Sequence, residues 1–166
     1  MSAVVDGLLF AWGKNKDYAE RLVADLSEDQ MILQPAPDGG ASVNHAAWIL
    51  SHLNLYLPII ESIIAGRDFE DPKGKPFGMQ SKPESDRSIY ASKSELIDTF
   101  STGHEAVATA LKSASDDLFD QPIELPRWKE PFKNAGGALP YLMVLHENLH
   151  LGQLSAWRRV QGMPSV

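Results

Sequence analysis

The stretch His146-Glu147-Asn148-Leu149-His150-Leu151-Gly152-Gln153-Leu154 sets two histidines four residues apart inside an apolar helical pattern. On an α-helix that spacing puts both imidazoles on one face, with Cβ atoms about 6 Å apart. Their ring nitrogens can then converge on one ion at about 2.0–2.1 Å. The pattern extends in both directions to predict a helix over 138–161. Leu142, Leu145, His146, Leu149, His150, Leu154, Trp157 and Val160 form one broad face, and Gly162 and Pro164 end it. Two imidazoles on a buried face need a donor, an acceptor or a metal, because desolvating them without partners costs a few kcal/mol.

Three further segments carry helical periodicity, and none alternates with period 2. The first spans 4–26, with Leu8, Trp12, Asn15, Ala19, Leu22 and Leu26 on one stripe. The second spans 43–65, with Trp48, Ile49, His52, Tyr56, Ile59 and Ile63. Ser42 or Asn44 is its expected N-cap, Pro58 its expected kink and Gly66 its stop. The third follows the capping-box pattern Ser92-Lys93-Ser94-Glu95 and runs to about 115, burying Leu96, Phe100, Val107 and Leu111. Gln34-Pro35-Ala36-Pro37-Asp38-Gly39-Gly40 cannot stay helical, and 67–91 and 116–137 read as irregular connections. Four amphipathic helices of this length bury their stripes against one another. The expectation is an all-α chain, an antiparallel four-helix bundle in one domain over residues 1–166. The short first link favours antiparallel neighbours. The long link between helices 2 and 3 leaves up-down-up-down and up-down-down-up both open.

Composition narrows the function. The chain has 166 residues, 43% hydrophobic, which excludes general disorder. Its formal charge of −7 argues against nucleic acid as a partner. The absence of cysteine removes disulfides, thiolate metal sites and a cysteine nucleophile. The N-terminus has no basic region, and no uninterrupted apolar run approaches the ~20 residues of a spanning helix. A cytoplasmic protein with no membrane partner is expected.

His52 joins His146 and His150 as a third imidazole on a buried stripe. Three protein nitrogens with an open fourth position make a catalytic divalent-metal arrangement, and without thiolates Zn, Ni, Fe or Co fit. His45 lies about 10 Å from His52 along the helix, too far to share an ion easily. His104 reads as a partly buried rim histidine. Asn15, Tyr56 and Gln153 are candidates to orient a ligand ring or line a pocket. Glu147 is rotated about 100° from His146 and should point elsewhere, toward an arginine on a neighbouring turn. Arg158-Arg159 reads as a solvated helix end. Arg127, Trp128 and Phe132 could cover a pocket mouth.

At these residues the chain resembles the DinB/YfiT-like superfamily of metal-binding four-helix bundles. The resemblance lies in Leu26-Ser27-Glu28-Asp29-Gln30 leading to Gln34-Pro35-Ala36-Pro37, in Trp48-Ile49-Leu50-Ser51-His52-Leu53, and above all in His146 to Leu154 with the following arginines and Gly162-x-Pro164. It implies His52, His146 and His150 as metal ligands, with His45 outside the site. It also implies the up-down-down-up connection, frequent homodimers, and zinc or nickel as the metal. Characterised relatives are transferases or isomerases that use low-molecular-weight thiols such as glutathione, mycothiol or bacillithiol. The resulting expectation is a metal-dependent thiol S-transferase acting on a small-molecule electrophile. The alternatives are a metal-dependent hydrolase and a non-catalytic metal- or ligand-binding stress-response protein. No segment looks like a thiol-binding signature.

Overall fold

The computed structural model describes residues 3–35 and 42–166. The expected break over Ala36 to Gly40 lies outside the described residues. Helix α1, Ala3–Ala24, buries Val5, Leu8, Trp12, Asn15, Ala19 and Leu22 at the three- and four-residue spacing of the sequence pattern. Helix α2, Ala46–Ile64, starts later than expected. Its N-cap is His45, not Ser42 or Asn44: the ring Nδ1 accepts the Trp48 N–H at 3.2 Å. The helix continues through Pro58, which is solvent-exposed. It ends at Gly66, whose φ of 62° is the left-handed conformation that glycine adopts most easily. Helix α3, Lys93–Lys112, starts on the Ser92–Glu95 capping box, with both reciprocal hydrogen bonds made.

The connection before the last long helix contains a short helix, α4, Pro126–Lys129. The last long helix itself is composite. It comprises α5, Ala135–Pro140, then a π-helical segment, Tyr141–His146, then α6, Glu147–Val160. It begins at Ala135 rather than 138 because the Asn134 side chain caps the Gly137 N–H at 3.2 Å.

The face this helix buries differs from the expected one. Leu145, Leu149 and Val160 are 61%, 58% and 67% exposed, while Glu147 and Arg158 are buried. The buried face is turned by about one residue, and the two charged side chains are compensated where they go in. Arg158 is not a solvated end. It pairs with Asp25 through two hydrogen bonds of 2.6 and 2.9 Å and donates to the Leu22 carbonyl. Arg159 is exposed.

Helix α1 packs chiefly on α3 and α6, and α2 packs on the same two. So α1 and α2 stand diagonally across a helical bundle, not side by side as their short link suggested. The core has two clusters, one around Trp12, Ile60 and Leu139 and one around Leu22, Ile49 and Phe100. Among the described residues the only β pairing is an isolated bridge between Pro122 and Asn134. By length and composition α2 could cross a membrane, but 72% of that window is buried inside the bundle, as in a core helix.

The long crossover after α2 is more ordered than its composition suggested. Two turns of 3-10 helix, Pro72–Gly74 and Arg87–Ile89, are capped by Asp71 and Asp86. The segment is also tied to α2: Trp48 Nε1 donates to Ser81 Oγ at 3.0 Å, and His45 Nε2 donates to the Glu84 carbonyl at 3.0 Å.

Candidate metal centre

The bundle brings His52 of α2 against His146 and His150 of the last helix. One donor atom from each lies within 4.8 Å of the others, and the Nε2 atoms of His52 and His146 are 3.1 Å apart. Ligand atoms on a tetrahedral ion with bonds of about 2.0–2.1 Å lie about 3.4 Å apart. The trio is therefore already near coordination spacing.

Hydrogen bonds at the other ring nitrogens set two of the tautomers. The Phe77 carbonyl can only accept, so His52 Nδ1 carries the proton in their 2.6 Å hydrogen bond. His150 Nδ1 donates to Gln153 Oε1 at 3.1 Å, and that oxygen also accepts from Asn44 Nδ2. Both rings are left with an Nε2 lone pair, the arrangement in which an outer hydrogen bond orients a ligand imidazole. Burial lowers the pKa of all three rings. His146 is lowered to about 3 and His150 to about 4, with repulsion from neighbouring imidazoles adding to the effect. Neutral imidazoles are the ligating form, so this donor set fits a divalent ion.

Phe77 has no signal in the sequence beyond its neighbour Gly78. It is the one non-glycine residue with positive φ, 59°, among the described residues. Its carbonyl meets His52 from this uncommon conformation, a local strain of the kind that gathers at functional sites.

The three imidazoles form part of the wall of a cavity of about 620 Å³. Trp48, Tyr56, Trp128, Phe132 and Tyr141 also line it, and Arg127 is there too. The expectation that Arg127, Trp128 and Phe132 cover a pocket is met in position. Tyr56 lies tilted against the site, its ring centroid 5.0 Å from His52 and 4.6 Å from His146. Burial pushes its hydroxyl pKa up.

Other residues are placed elsewhere. His45 is a helix cap. His104 is not at the rim: it is 1% exposed and stacks on Trp12 at 3.7 Å. Its Nε2 meets the Glu147 carboxylate at 2.6 Å. Glu147 does point away from the cavity, but into the core and not toward an arginine. Asn15 donates to Glu147 at 2.9 Å and to the Met143 carbonyl at 3.2 Å, so it braces the last helix and does not touch the histidine trio. The pairing of His104 with Glu147 has no visible sign in the sequence, since the two are 43 residues apart and neither side chain alone points to the other.

The spacing His146-Glu147-x-x-His150 is also that of zinc peptidase helices, in which the glutamate serves as general base. Here the glutamate is engaged on the opposite side of the helix, so that chemistry lacks its base.

Comparison with known proteins agrees with the fold. A crystal structure of a conserved protein from Enterococcus faecalis superposes with a TM-score of 0.74 at 15% identity, covering 96% of this chain and 98% of that one. No curated protein matches the chain. The family model of the DinB superfamily matches residues 11–154, which include all three histidines. With that match over most of its length, the chain belongs to the DinB superfamily.

Proposed function

We propose that His52, His146 and His150 hold a divalent ion, zinc or nickel, and that the cavity beside them seats a small electrophile for attack by a low-molecular-weight thiol. One observation carries the reading: three imidazoles converge on a cavity with no carboxylate among the described residues of its wall. The ion would lower the pKa of a bound water as well as of a bound thiol, but the carboxylate at the spacing that would shuttle that water's proton is committed to His104 and Asn15. A thiol needs no such shuttle once bound, since it is acidic enough for the ion to deprotonate it outright. This also accounts for a chain with no cysteine of its own.

The chain's residues supply the rest. The Phe77 carbonyl and Gln153 fix the rings, and the aromatic walls exclude water and hold the electrophile. The thiolate sulfur forms a bond to carbon while the leaving group departs with its bonding pair.

The up-down-down-up connection belongs to the same proposal. Contacts between α2 and α3 advance together, Asn54 with Leu96 and Leu57 with Gly103, as do Asn15 with Glu147 and Leu22 with Arg158 between α1 and α6. Those between α1 and α3 run oppositely, Ala24 with Lys93 and Trp12 with His104, as do Trp48 with His150 and Tyr56 with His146 between α2 and α6.

The test is metal analysis of the purified protein beside His52→Ala and His146→Ala. This is followed by conjugation of monobromobimane with glutathione, mycothiol and bacillithiol in the presence of zinc or nickel. About one ion per chain, lost in both variants, is expected, with a metal-dependent rate for at least one thiol. Equal metal in all three samples removes the site. No metal-dependent rate with any thiol removes the transfer.

A further inference from the structure

The cavity beside the histidines has a charge pattern opposite to that of the chain. The sequence holds 22 acidic residues against 15 Lys and Arg. Among the described residues, however, no Asp or Glu lines this cavity, and Arg127 is the one Lys or Arg that does.

Arg127 is braced from behind. Its Nε and Nη2 donate to the two oxygens of Asp71 at 2.7 and 2.6 Å. Asp71 is held in turn by the Lys73 N–H at 2.9 Å, as cap of the 3-10 turn it begins. One edge of the guanidinium is thus committed. Nη1 makes no hydrogen bond among the described residues, and the side chain is one-third exposed. The remaining surroundings are aromatic. The guanidinium lies 5.7 Å from the Trp128 ring, and Trp128 is nearly parallel to Tyr56 with centroids 6.5 Å apart.

We propose that Arg127 recognises a carboxylate, and that the cavity takes a flat, apolar molecule carrying one. This molecule is the electrophile of the function proposed above, on which the assignment rests. Arginine presents a planar fork of donors that matches a carboxylate. Aromatic walls strengthen that contact by excluding water, and they reward an apolar body. An acid-free wall adds no repulsion, and Asp71 holds the guanidinium in place without filling its free edge.

The test uses 2-naphthoate and its neutral counterpart 2-naphthamide, titrated by calorimetry into zinc-loaded and EDTA-treated protein. The naphthoate should bind about tenfold more tightly in both forms, the scale of one hydrogen bond to a charged group. Arg127→Met should bring the two ligands to equal affinity without weakening the amide. Asp71→Asn, which removes the competing carboxylate, should widen the gap.

Equal affinities in the wild-type protein overturn the proposal, and this arm needs no variant to fold. A preference that survives Arg127→Met, or one seen only with zinc present, also overturns it, the latter because the ion then takes the carboxylate. Arg127-dependent binding of S-methylglutathione with no binding of 2-naphthoate overturns it by moving the anion to the thiol. A naphthoate preference in a chain that takes up no zinc supports the anion site and sinks the metal reading, so the two fail separately.

Discussion

Glu147 directly follows His146, yet its carboxylate lies 2.6 Å from His104 Nε2 on α3. With Asn15 on α1 bound to the same carboxylate, one side chain joins three long helices at a buried point. The last helix therefore has two chemical faces, imidazoles toward the cavity and a carboxylate toward the core. Burial pushes the Glu147 carboxyl pKa up, and the contacts with His104 and Asn15 oppose that rise.

Glu147→Ala should destabilise the fold by about 3–5 kcal/mol, the cost of breaking a buried pair by removing one partner. Glu147→Gln keeps hydrogen-bonding capacity and should cost less. Both variants should retain the bound metal. Urea unfolding reads the first effect and metal analysis the second. Loss of metal with unchanged stability would mean that Glu147 serves the cavity after all.

Gln153→Ala frees the His150 ring to turn. Removing such an outer hydrogen bond lowers metal affinity about 10–100-fold. Competition against a zinc-sensitive fluorescent chelator measures it, and an unchanged affinity would show that packing alone orients the ring.

Gly78 should not tolerate alanine. An added Cβ would lie 2.0 Å from the Pro72 carbonyl oxygen and within 2.9 Å of two more carbonyl oxygens. Those are backbone atoms, so the loop must move, and with it the adjacent Phe77 carbonyl that holds His52. Gly78→Ala should weaken metal binding as well as stability. Gly13→Ala is the control: nothing lies within 4 Å of its Cβ position in the exposed face of α1. It should stabilise by about 0.5–1 kcal/mol. Thermal melting and the chelator competition together separate the two.

Acid should act through Asp25. Its hydrogen bonds to Arg158 hold its pKa below the usual carboxylate value. A lowered folded-state pKa contributes stability that is fully present above the unfolded value of about 3.9 and is lost as pH falls through the folded one. Wild-type stability should therefore fall as pH drops below about 4, and Asp25→Asn should flatten that part of the profile. Urea midpoints between about pH 2.5 and 5 check it. Parallel profiles for the two proteins would leave Asp25 without a role in acid sensitivity.

The helices were legible because their apolar spacing is local, and so was the histidine trio, since each ring sits on a stripe that had to face inward. Tyr56 stands one turn from His52 on the same buried stripe, and Gln153, though exposed, is one turn from His150 and within reach of its ring. What escaped were pairings across the bundle. Asn15 looked like a pocket residue because its stripe faces the interior, but which interior neighbour it meets depends on the order of helices. Arg158 looked solvated because a lone arginine at a helix end usually is, and only the fold reveals Asp25 beside it. Leu145 reads as buried only if an unbroken α-helix runs through residues that form a π turn, and Leu149, beside His150, lines the open cavity instead of the core. The Phe77 carbonyl was out of reach, since its role depends on a backbone conformation that no side-chain pattern encodes.

That wide turn, Tyr141–His146, makes the last long helix a splice of two lengths with separate angular phases. Upstream, Leu139 and Leu142 are seated in the core; downstream, Arg158 is locked to Asp25. Tightening the splice to ordinary α geometry by deleting a residue would rotate one half against the other by about 100°. Either the upstream apolar contacts or the alignment of His150 and Arg158 would then be given up. The surplus residue thus lets a single rod satisfy a greasy interior at one end and a corner of converging imidazoles at the other.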